Sequence, residues 1–325
     1  MIPTPKSVPK SVPTSAPTSA PKSTHAPKKL DDLLDSRLMA KLDAIDVVSR
    51  KIFAGKLQGE RRSKRRGQSI EFADFRPYVH GDDLRFVDWN IYGRLDKLFL
   101  KMFLEEEDLS LIIALDTSAS MRVGNPDAFD YARRLAMALA YVGLVNQHRV
   151  SLVGFSAGKM ERASNLRGRR KAADVARWLL DREPEGASGF EEAMRLVGTS
   201  RMGRGVMITL SDFLFPEGFE KGLTMVAGRG YDHYALQVLA PQVVDPTREG
   251  GVNGDLLLVD SETGTEVEIT VTPELLRVYH DRLDRLCGSL RNYCTRRDII
   301  HMVVETSTPV DTLMLEFLRK RGLLR

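Results

Sequence analysis

The sequence predicts an α/β protein built on a doubly wound, mostly parallel sheet flanked by helices. Residues 111–115 form a continuous apolar run, as expected for a strand buried on both faces of a parallel sheet. From residue 108 onward, strand-like and helix-like segments alternate along the chain, which is the order that a doubly wound sheet requires. A carboxylate and two hydroxyl groups follow the apolar run, at the strand end where open α/β sheets place their ligands.

The composition is that of an ordinary globular protein. The 325 residues are 42% hydrophobic and 28% charged, and no apolar run reaches the length of a transmembrane helix. The N-terminus lacks the apolar region of a secretory signal. Cys287 and Cys294 share one face of a predicted helix, where helix geometry forbids a disulfide between them. We therefore expect a cytoplasmic protein in a reducing compartment.

The chain divides into three parts. Residues 1–28 carry a repeat that places Pro at every fourth residue from Pro5 to Pro21, and this composition predicts a disordered, partly polyproline II tail. Residues 29–107 form a predicted helical and irregular extension, in which apolar residues at helical spacing predict a helix over residues 30–58. Residues 108–325 form the predicted α/β domain.

The elements of the domain are predicted in turn from their periodicity and capping residues. The first helix is predicted to begin at Asn125-Pro126, a capping residue followed by Pro at the first helical position. Thr263-Gly264 is predicted to turn a hairpin. The other strands are predicted at 97–103, 150–155, 206–210, 233–239, 255–259, 266–271 and 299–304, and the other helices at 172–180, after 186–190, from Pro273 and from Pro309.

The loop after the first buried strand carries a candidate metal site. Asp116, Ser118 and Ser120 offer three hard oxygen atoms within five residues, and such atoms suit a small hard cation such as Mg²⁺. The alternative is structural, with an Asp that caps a turn and serines that bond to the local backbone.

The segment before the domain is rich in charge. Arg76, Arg85 and Arg94 lie close in sequence to several acidic residues, and such charges in an irregular segment form ion pairs that fix the backbone. We predict this structural role rather than a catalytic one. The acidic residues are Glu71, Asp74, Asp82, Asp83 and Asp88.

Together these motifs resemble a known family. The D-x-S-x-S pattern resembles the metal-ion-dependent adhesion site of von Willebrand factor A domains. The charged segment resembles more specifically the bacterial domain-of-unknown-function family 58, whose members are von Willebrand factor A-like and commonly associated with MoxR-type AAA+ ATPases. The resemblance covers about residues 30–325. It is carried by Gly67, Glu71-Phe72, Arg76-Pro77-Tyr78, Gly81-Asp82-Asp83, Arg85, Asp88-Trp89 and Arg94, followed by the D-x-S-x-S strand.

The resemblance implies two further ligands from other loops. Ser188 falls where the family pattern has a Thr and offers the same ligand atom, although Ser188 and Glu191 also form a capping-box pattern. Asp212 follows an apolar strand in the way that Asp116 does. The predicted site for Mg²⁺ or Mn²⁺ is thus Asp116, Ser118, Ser120, Ser188 and Asp212.

The charges of this site predict protein binding rather than catalysis. Asp116 and Asp212 together balance the two charges of the cation, and the serine hydroxyls are neutral, so the metal can accept one further carboxylate from another protein. We therefore predict a metal-dependent protein–protein interaction module that is not an enzyme. The resemblance implies a MoxR-type AAA+ ATPase as its partner, and a client protein as the group that coordinates the metal.

Two other functions compete with this prediction. One is a metal-dependent phosphoester hydrolase with Asp116 as nucleophile, but its acid/base Asp is expected two residues on, where Ser118 stands. The other is nucleic-acid binding through basic clusters at 61–66 and 167–171, which contain no interleaved aromatic residue. The chain also lacks the P-loop motif and the common zinc motifs.

Overall fold

The computed structural model describes residues 27, 29–49, 70–82, 84–105, 109–200, 203, 205–248, 254–260 and 265–325. The Pro-rich repeat and the basic cluster at 61–66 therefore lie outside the described residues. Pro27, which falls at the end of the predicted tail, is buried.

A six-stranded mixed sheet forms the centre of the molecule and confirms the predicted fold class. Its order is β10-β7-β6-β3-β4-β5, in which β5 is antiparallel to β4 and the other neighbours are parallel. The strands are β3 (Ser110–Asp116), β4 (Arg149–Ser156), β5 (Lys159–Leu166), β6 (Gly205–Ser211), β7 (Tyr231–Leu239) and β10 (Ile300–Glu305).

Strand β3 lies in the middle of the sheet, between β6 and β4, and every one of its residues is buried. Its odd-numbered apolar residues, such as Ile113, pack on one face of the sheet against the helix Ala128–Val145. Its even-numbered ones, such as Ile112, pack on the other face against the helix Phe190–Thr199. The strand that the sequence marks as continuously apolar is thus covered by helices on both sides.

Helices cover both faces of the sheet and connect its strands. Besides the two named above, the described α-helices of the chain are Leu30–Leu33, Ser36–Leu42, Trp89–Leu95, Ala172–Leu180, Glu220–Val226, Pro241–Val244, Pro273–Thr295 and Val310–Thr312, the last continuing as π-helical turns over Leu313–Leu318. Cys287 and Cys294 are free thiols on the helix Pro273–Thr295. Within the described ranges, no helix has the length and apolar content needed to cross a membrane.

Two antiparallel hairpins stand apart from the main sheet. Strand β1 (Ile70–Pro77) pairs with β2 (Phe99–Glu105), where the sequence predicts a strand at 97–103. Strand β8 (Gly254–Val259) pairs with β9 (Glu266–Val271), as predicted, and the predicted turn at Thr263-Gly264 lies outside the described residues.

The single helix predicted over residues 30–58 is two short helices, Leu30–Leu33 and Ser36–Leu42, and the prediction is wrong for residues 43–49, while residues 50–58 lie outside the described residues. Leu34 is extended, and the Asp35 carboxylate then caps a second helix by accepting a hydrogen bond from the backbone N–H of Leu38 at 2.6 Å. After residue 42 the chain leaves helical conformation, and the backbone N–H of Asp46 donates to the carbonyl of Arg325 at 3.1 Å. This N-terminal segment therefore packs into the core of the α/β body.

The structure differs from the sequence prediction at further places, and the sequence predicted neither β1 nor the helices Trp89–Leu95 and Pro241–Val244. The helix predicted to begin at Asn125-Pro126 begins at Ala128, because the Asp127 carboxylate caps it by accepting from the N–H groups of Phe129 and Asp130. Strand β5 and the helix Glu220–Val226 were not predicted. Strand β5 is a half-exposed edge strand with no apolar run to mark it, and the helix is short.

Candidate metal centre

The two predicted aspartates lie side by side at the carboxyl edge of the sheet. Asp116 is the last residue of β3, and Asp212 directly follows β6. Strands β3 and β6 are parallel neighbours in register, with Leu115 opposite Leu210, so both strands end at the same place. Strand β3 has β4 on one side and β6 on the other, so the connections from β3 and from β6 run to opposite sides of the sheet. Doubly wound sheets place their ligands at such a topological switch point.

The Asp116 carboxylate is completely buried and held by three donors. Its Oδ1 accepts from the backbone N–H of Ser118 at 3.0 Å and from the Ser118 hydroxyl at 2.7 Å. Its Oδ2 accepts from the Ser211 hydroxyl at 2.7 Å. The side chain is therefore fixed in one orientation at the bottom of the loop.

The serines link Asp116 to Asp212. The hydroxyl oxygens of Ser118 and Ser120 are 3.1 Å apart, and Ser120 also hydrogen bonds to the Asp212 carboxylate. The Asp212 Oδ1 accepts from the backbone N–H of Leu214 at 3.0 Å, and its backbone carbonyl accepts from Gln237 at 2.9 Å. The two carboxylates and the hydroxyls between them form one continuous network.

The two carboxylates lack a cationic side chain. Burial raises the pKa of Asp116, the nearby charge of Asp212 raises it further, and the bonds from Ser211 and Ser118 oppose this rise. Burial also raises the pKa of Asp212. Across the described ranges, neither carboxylate forms an ion pair with a Lys, Arg or His side chain. Buried carboxylates are normally protonated, paired with a cationic side chain or bound to a metal, and no described side chain supplies a cation to this pair.

Ser188 lies in a loop that is tied to the Asp116 loop. The backbone N–H of Glu185 donates to the carbonyl of Thr117 at 2.9 Å, and that of Ala119 donates to the carbonyl of Gly186 at 2.8 Å. Gly189 then passes so close to β4 that a Cβ atom there would lie 2.5 Å from the Ser156 carbonyl oxygen. Residues 185–189 are thus held against the rim of the site.

The capping-box alternative for Ser188 is wrong. The helix Phe190–Thr199 has Gly189 as its N-cap, and no side chain caps it. The Ser188 hydroxyl oxygen is buried and has no hydrogen-bond partner among the described residues. This hydroxyl is therefore available to a water molecule or a ligand, and the loop that carries it borders the carboxylate pair.

Ser211 belongs to the site but was missed. Its hydroxyl donates to Asp116 and accepts from the backbone N–H of Phe213 at 2.9 Å. Phe213 itself has a left-handed φ of 55°, which is unusual for a bulky residue and indicates backbone strain next to Asp212. A signal existed, since Ser211 is a hydroxyl residue at the end of an apolar strand, directly before the predicted ligand.

The donor set has the composition that a hard divalent cation prefers. It consists of two carboxylates and the hydroxyls of Ser118, Ser120 and Ser188, with no nitrogen or sulfur atom. The described part of the chain contains no cluster of three or more His, Cys, Asp or Glu side chains placed to hold a metal. A cation here would therefore depend on hydroxyl oxygens beside the two carboxylates.

Comparison with known families places the chain. The family described as "Protein of unknown function DUF58" matches residues 74–286, about two thirds of the sequence. The chain belongs to this family. Its relatives include uncharacterized protein Rv1480 of Mycobacterium tuberculosis and uncharacterized protein Mb1516 of Mycobacterium bovis. Each is 26% identical over 257 residues, which cover 77% of this chain and 80% of the relative. The predicted family is thus confirmed.

Two solved structures show weaker similarity. The von Willebrand factor A domain of SpRpn10 is 12% identical with a TM-score of 0.37, covering 64% of this chain and 93% of that one. Proximal thread matrix protein 1 from the mussel byssus is 14% identical with a TM-score of 0.32, covering 40% and 38%. Both TM-scores are below 0.5, so neither structure carries an argument about this chain.

The charged segment of this DUF58 chain has a structural role where its contacts are visible. Arg76 forms an ion pair with Asp82 at 2.7 Å, and the other Asp82 oxygen accepts from the backbone N–H of Val79 at 3.0 Å. The pair therefore fixes the irregular turn after β1.

The basic cluster at 167–171 also forms ion pairs. In this cluster, Arg169 pairs with Asp43 at 3.2 Å and Lys171 pairs with Asp174 at 2.8 Å.

Proposed function

We propose that this protein is a metal-dependent protein–protein interaction module that binds Mg²⁺ or Mn²⁺ between the loops after β3 and β6. One observation carries the proposal: Asp116 and Asp212 are adjacent, buried and without a cationic side chain. Desolvation and mutual repulsion make such a pair unfavourable alone, and a divalent cation relieves both effects. The oxygen-only donor set supports Mg²⁺ or Mn²⁺.

The hydroxyls and the carboxylates have different roles in this proposal. Ser118 donates its proton to Asp116, which leaves the oxygen lone pairs of that hydroxyl available to a cation. Ser120 stands in the same relation to Asp212, and the hydroxyl of Ser188 is a third neutral donor. The serine hydroxyls contact the ion. The two aspartates compensate the charge of the ion and orient the hydroxyls of Ser118 and Ser120.

The same charges leave the cation able to bind a partner. Two carboxylates neutralise a divalent ion but do not overcompensate it, so a Glu or Asp of another protein is still attracted. Ser120 is partly exposed, whereas Asp116, Ser118 and the hydroxyl oxygen of Ser188 are buried, so the partner approaches from the side of Ser120. Membership of the DUF58 family supports a MoxR-type AAA+ ATPase as the partner, with a client protein as the group that reaches the metal.

No observation favours the two competing functions. A nucleophilic Asp116 needs a reachable oxygen, but both of its oxygens are buried and already accept hydrogen bonds. Nucleic-acid binding needs free basic side chains, and Arg169 and Lys171 of the described basic cluster are in ion pairs.

A pull-down from cell extract tests the proposal. The bait proteins are the wild type, Asp116→Ala, and a variant with Arg61, Arg62, Lys64, Arg65 and Arg66 neutralised. We expect an AAA+ ATPase or another protein to be retained by the wild type in Mg²⁺ and released by EDTA or by Asp116→Ala. Cargo that is lost only from the basic-cluster variant, and that nuclease removes, would show instead that the protein binds nucleic acid.

A further inference from the structure

A second cavity lies on the carboxyl edge of the sheet, away from the metal centre. It has a volume of about 320 Å³, within the range of sites that hold small ligands. One wall is formed by residues 125–134, at the start of the helix Ala128–Val145, and the other by residues 306–310, which follow β10. None of the five predicted metal ligands lines it.

Two side chains of the cavity wall carry donors that nothing satisfies. Tyr131 is 6% exposed, and its hydroxyl has no hydrogen-bond partner within the described ranges. Burial raises the pKa of Tyr131, so the phenol stays neutral and keeps its proton to donate. Arg134 lies one helical turn further on, and its buried Nε likewise has no partner among the described residues. Buried donors of this kind are rare unless a ligand or water takes them up.

The neighbouring charges identify what kind of ligand fits. Arg133 pairs with Asp130 and also donates to the carbonyl of Arg182, so its charge is already balanced. The Asp127 carboxylate caps the helix. Arg134 forms no ion pair with any described residue, so it remains a cation without a counter-ion on the cavity wall.

The walls are held in place without a ligand. The Thr306 hydroxyl donates to the carbonyl of Pro126 at 2.8 Å, which joins the two sides of the cavity. The backbone N–H of Thr306 donates to the carbonyl of Leu239 at 2.9 Å, which fixes the segment after β10 to the main sheet. The cavity is therefore preformed, so ordering its walls takes little of the free energy of binding.

We propose that this cavity binds the carboxylate group of a small monoanionic ligand. The Arg134 guanidinium and the Tyr131 hydroxyl donate to the carboxylate, and the side chains of Pro126, Pro309 and Val310 contact a short apolar body. A dianion such as phosphate is disfavoured because Asp127 and Asp130 lie on the same wall and a single free guanidinium offsets one charge. The carboxylate can come from a free short-chain acid or from the C-terminus of a peptide.

NMR titration of the ¹⁵N-labelled full chain tests this site in EDTA, so that the metal centre plays no part. The probes are sodium butyrate, the dipeptide acetyl-Ala-Val with a free carboxyl group, and the same dipeptide as its amide. We expect saturable shifts of signals from residues 125–134 and 306–310 with at least one carboxylate probe and none with the amide. Binding of butyrate alone indicates a free acid, and binding of the peptide acid alone indicates a chain terminus.

Matched variants separate ligand binding from folding. Tyr131→Phe removes only the unpartnered hydroxyl, so its melting temperature should stay unchanged while carboxylate affinity falls about tenfold. Arg134→Gln should lower the affinity at least as much, whereas Tyr141→Phe, whose lost hydroxyl bonds to Asp43 at 2.7 Å, should bind like the wild type. Equal shifts with acid and amide, no saturable shift with any probe, or unchanged affinity in Arg134→Gln would each overturn the proposal.

Discussion

Two acid-rich regions of this protein use their carboxylates in opposite ways. In the turn after β1, Asp82 is paired with Arg76 at 2.7 Å and also accepts a backbone N–H, so its charge is balanced by its own neighbours. At the carboxyl edge of the main sheet, Asp116 and Asp212 are buried together and no described side chain balances them. The charge of the first region is balanced within the described protein, and for the second region we propose that a metal ion balances it.

The contrast shows how to tell a structural charge from a binding charge. A structural carboxylate lowers its own free energy through a cation or donor that folding brings to it. A binding carboxylate of the kind we propose for Asp116 is held in place by hydrogen bonds, here from Ser118 and Ser211, but has no cationic side chain and is neutralised by a proton or by an added ion. Substitutions in the two regions should therefore have opposite effects on stability and on metal binding.

Asp212→Asn should greatly weaken Mg²⁺ binding. It removes one of the two compensating charges but keeps the side-chain shape, so we expect a loss of affinity of about 100-fold, or about 3 kcal/mol. The metal-free variant should melt no lower than the wild type, because the repulsion with Asp116 is gone. Calorimetric titration and thermal melts measure the two quantities, and a destabilised variant with normal Mg²⁺ affinity would contradict the comparison.

The rise in melting temperature that Mg²⁺ causes should increase with pH. Burial and the charge of Asp212 raise the pKa of Asp116 to about 7. The folded state therefore holds a proton that the unfolded chain releases at lower pH, so this group costs stability as pH rises toward and through that pKa. Mg²⁺ replaces the proton, and the rise in melting temperature on adding Mg²⁺ should be larger at about pH 8 than at about pH 5.5. An equal rise in melting temperature at both pH values would show that a proton on Asp116 does not compete with Mg²⁺.

Ser188→Ala should weaken Mg²⁺ binding about tenfold at no cost to the metal-free fold, because the lost hydroxyl has no partner to leave behind. Ser211→Ala is the matched control. It removes a hydrogen bond to Asp116, so it should lower the free energy of unfolding by about 1–2 kcal/mol. If Ser188→Ala destabilised the metal-free protein as much as Ser211→Ala, the hydroxyl of Ser188 would have a structural role instead.

Asp82→Asn should have the smallest effect on the metal. It breaks the pair with Arg76, which is partly exposed, so we expect a loss of about 1 kcal/mol of stability or less. Mg²⁺ affinity should match the wild type. A change in Mg²⁺ affinity would show that the turn after β1 is coupled to the metal centre.

The sheet, and the position of the two aspartates at the ends of its strands, could be predicted from the sequence because both leave local patterns. The unbroken apolar run of β3 marks a central strand, and Asp116 and Asp212 each follow such a run. Ser211 could not be assigned in the same way, because its role depends on β3 and β6 being neighbours, which is a tertiary fact. The capping alternative for Ser188 was likewise excluded only by where its helix begins, which the sequence pattern does not fix.

The misplaced elements have a similar cause. Apolar spacing from residue 30 onward suits one helix, but Asp35 caps a new one and the chain then pairs with Arg325 at the opposite end of the sequence. Strand β5 is half exposed and carries charged residues, so it forms as an antiparallel edge strand because β4 offers hydrogen bonds, not because of its own pattern.

A Mn²⁺ titration of the purified chain, followed by electron paramagnetic resonance, tests the central claim most directly. The samples are the wild type, Asp116→Asn and the matched control Asp82→Asn, whose carboxylate is paired with Arg76, all stripped with EDTA beforehand. We predict one saturable site in the wild type and in Asp82→Asn, competed by Mg²⁺, and no saturable site in Asp116→Asn. Equal Mn²⁺ binding by the wild type and Asp116→Asn would contradict the claim that the buried carboxylate pair is a metal centre.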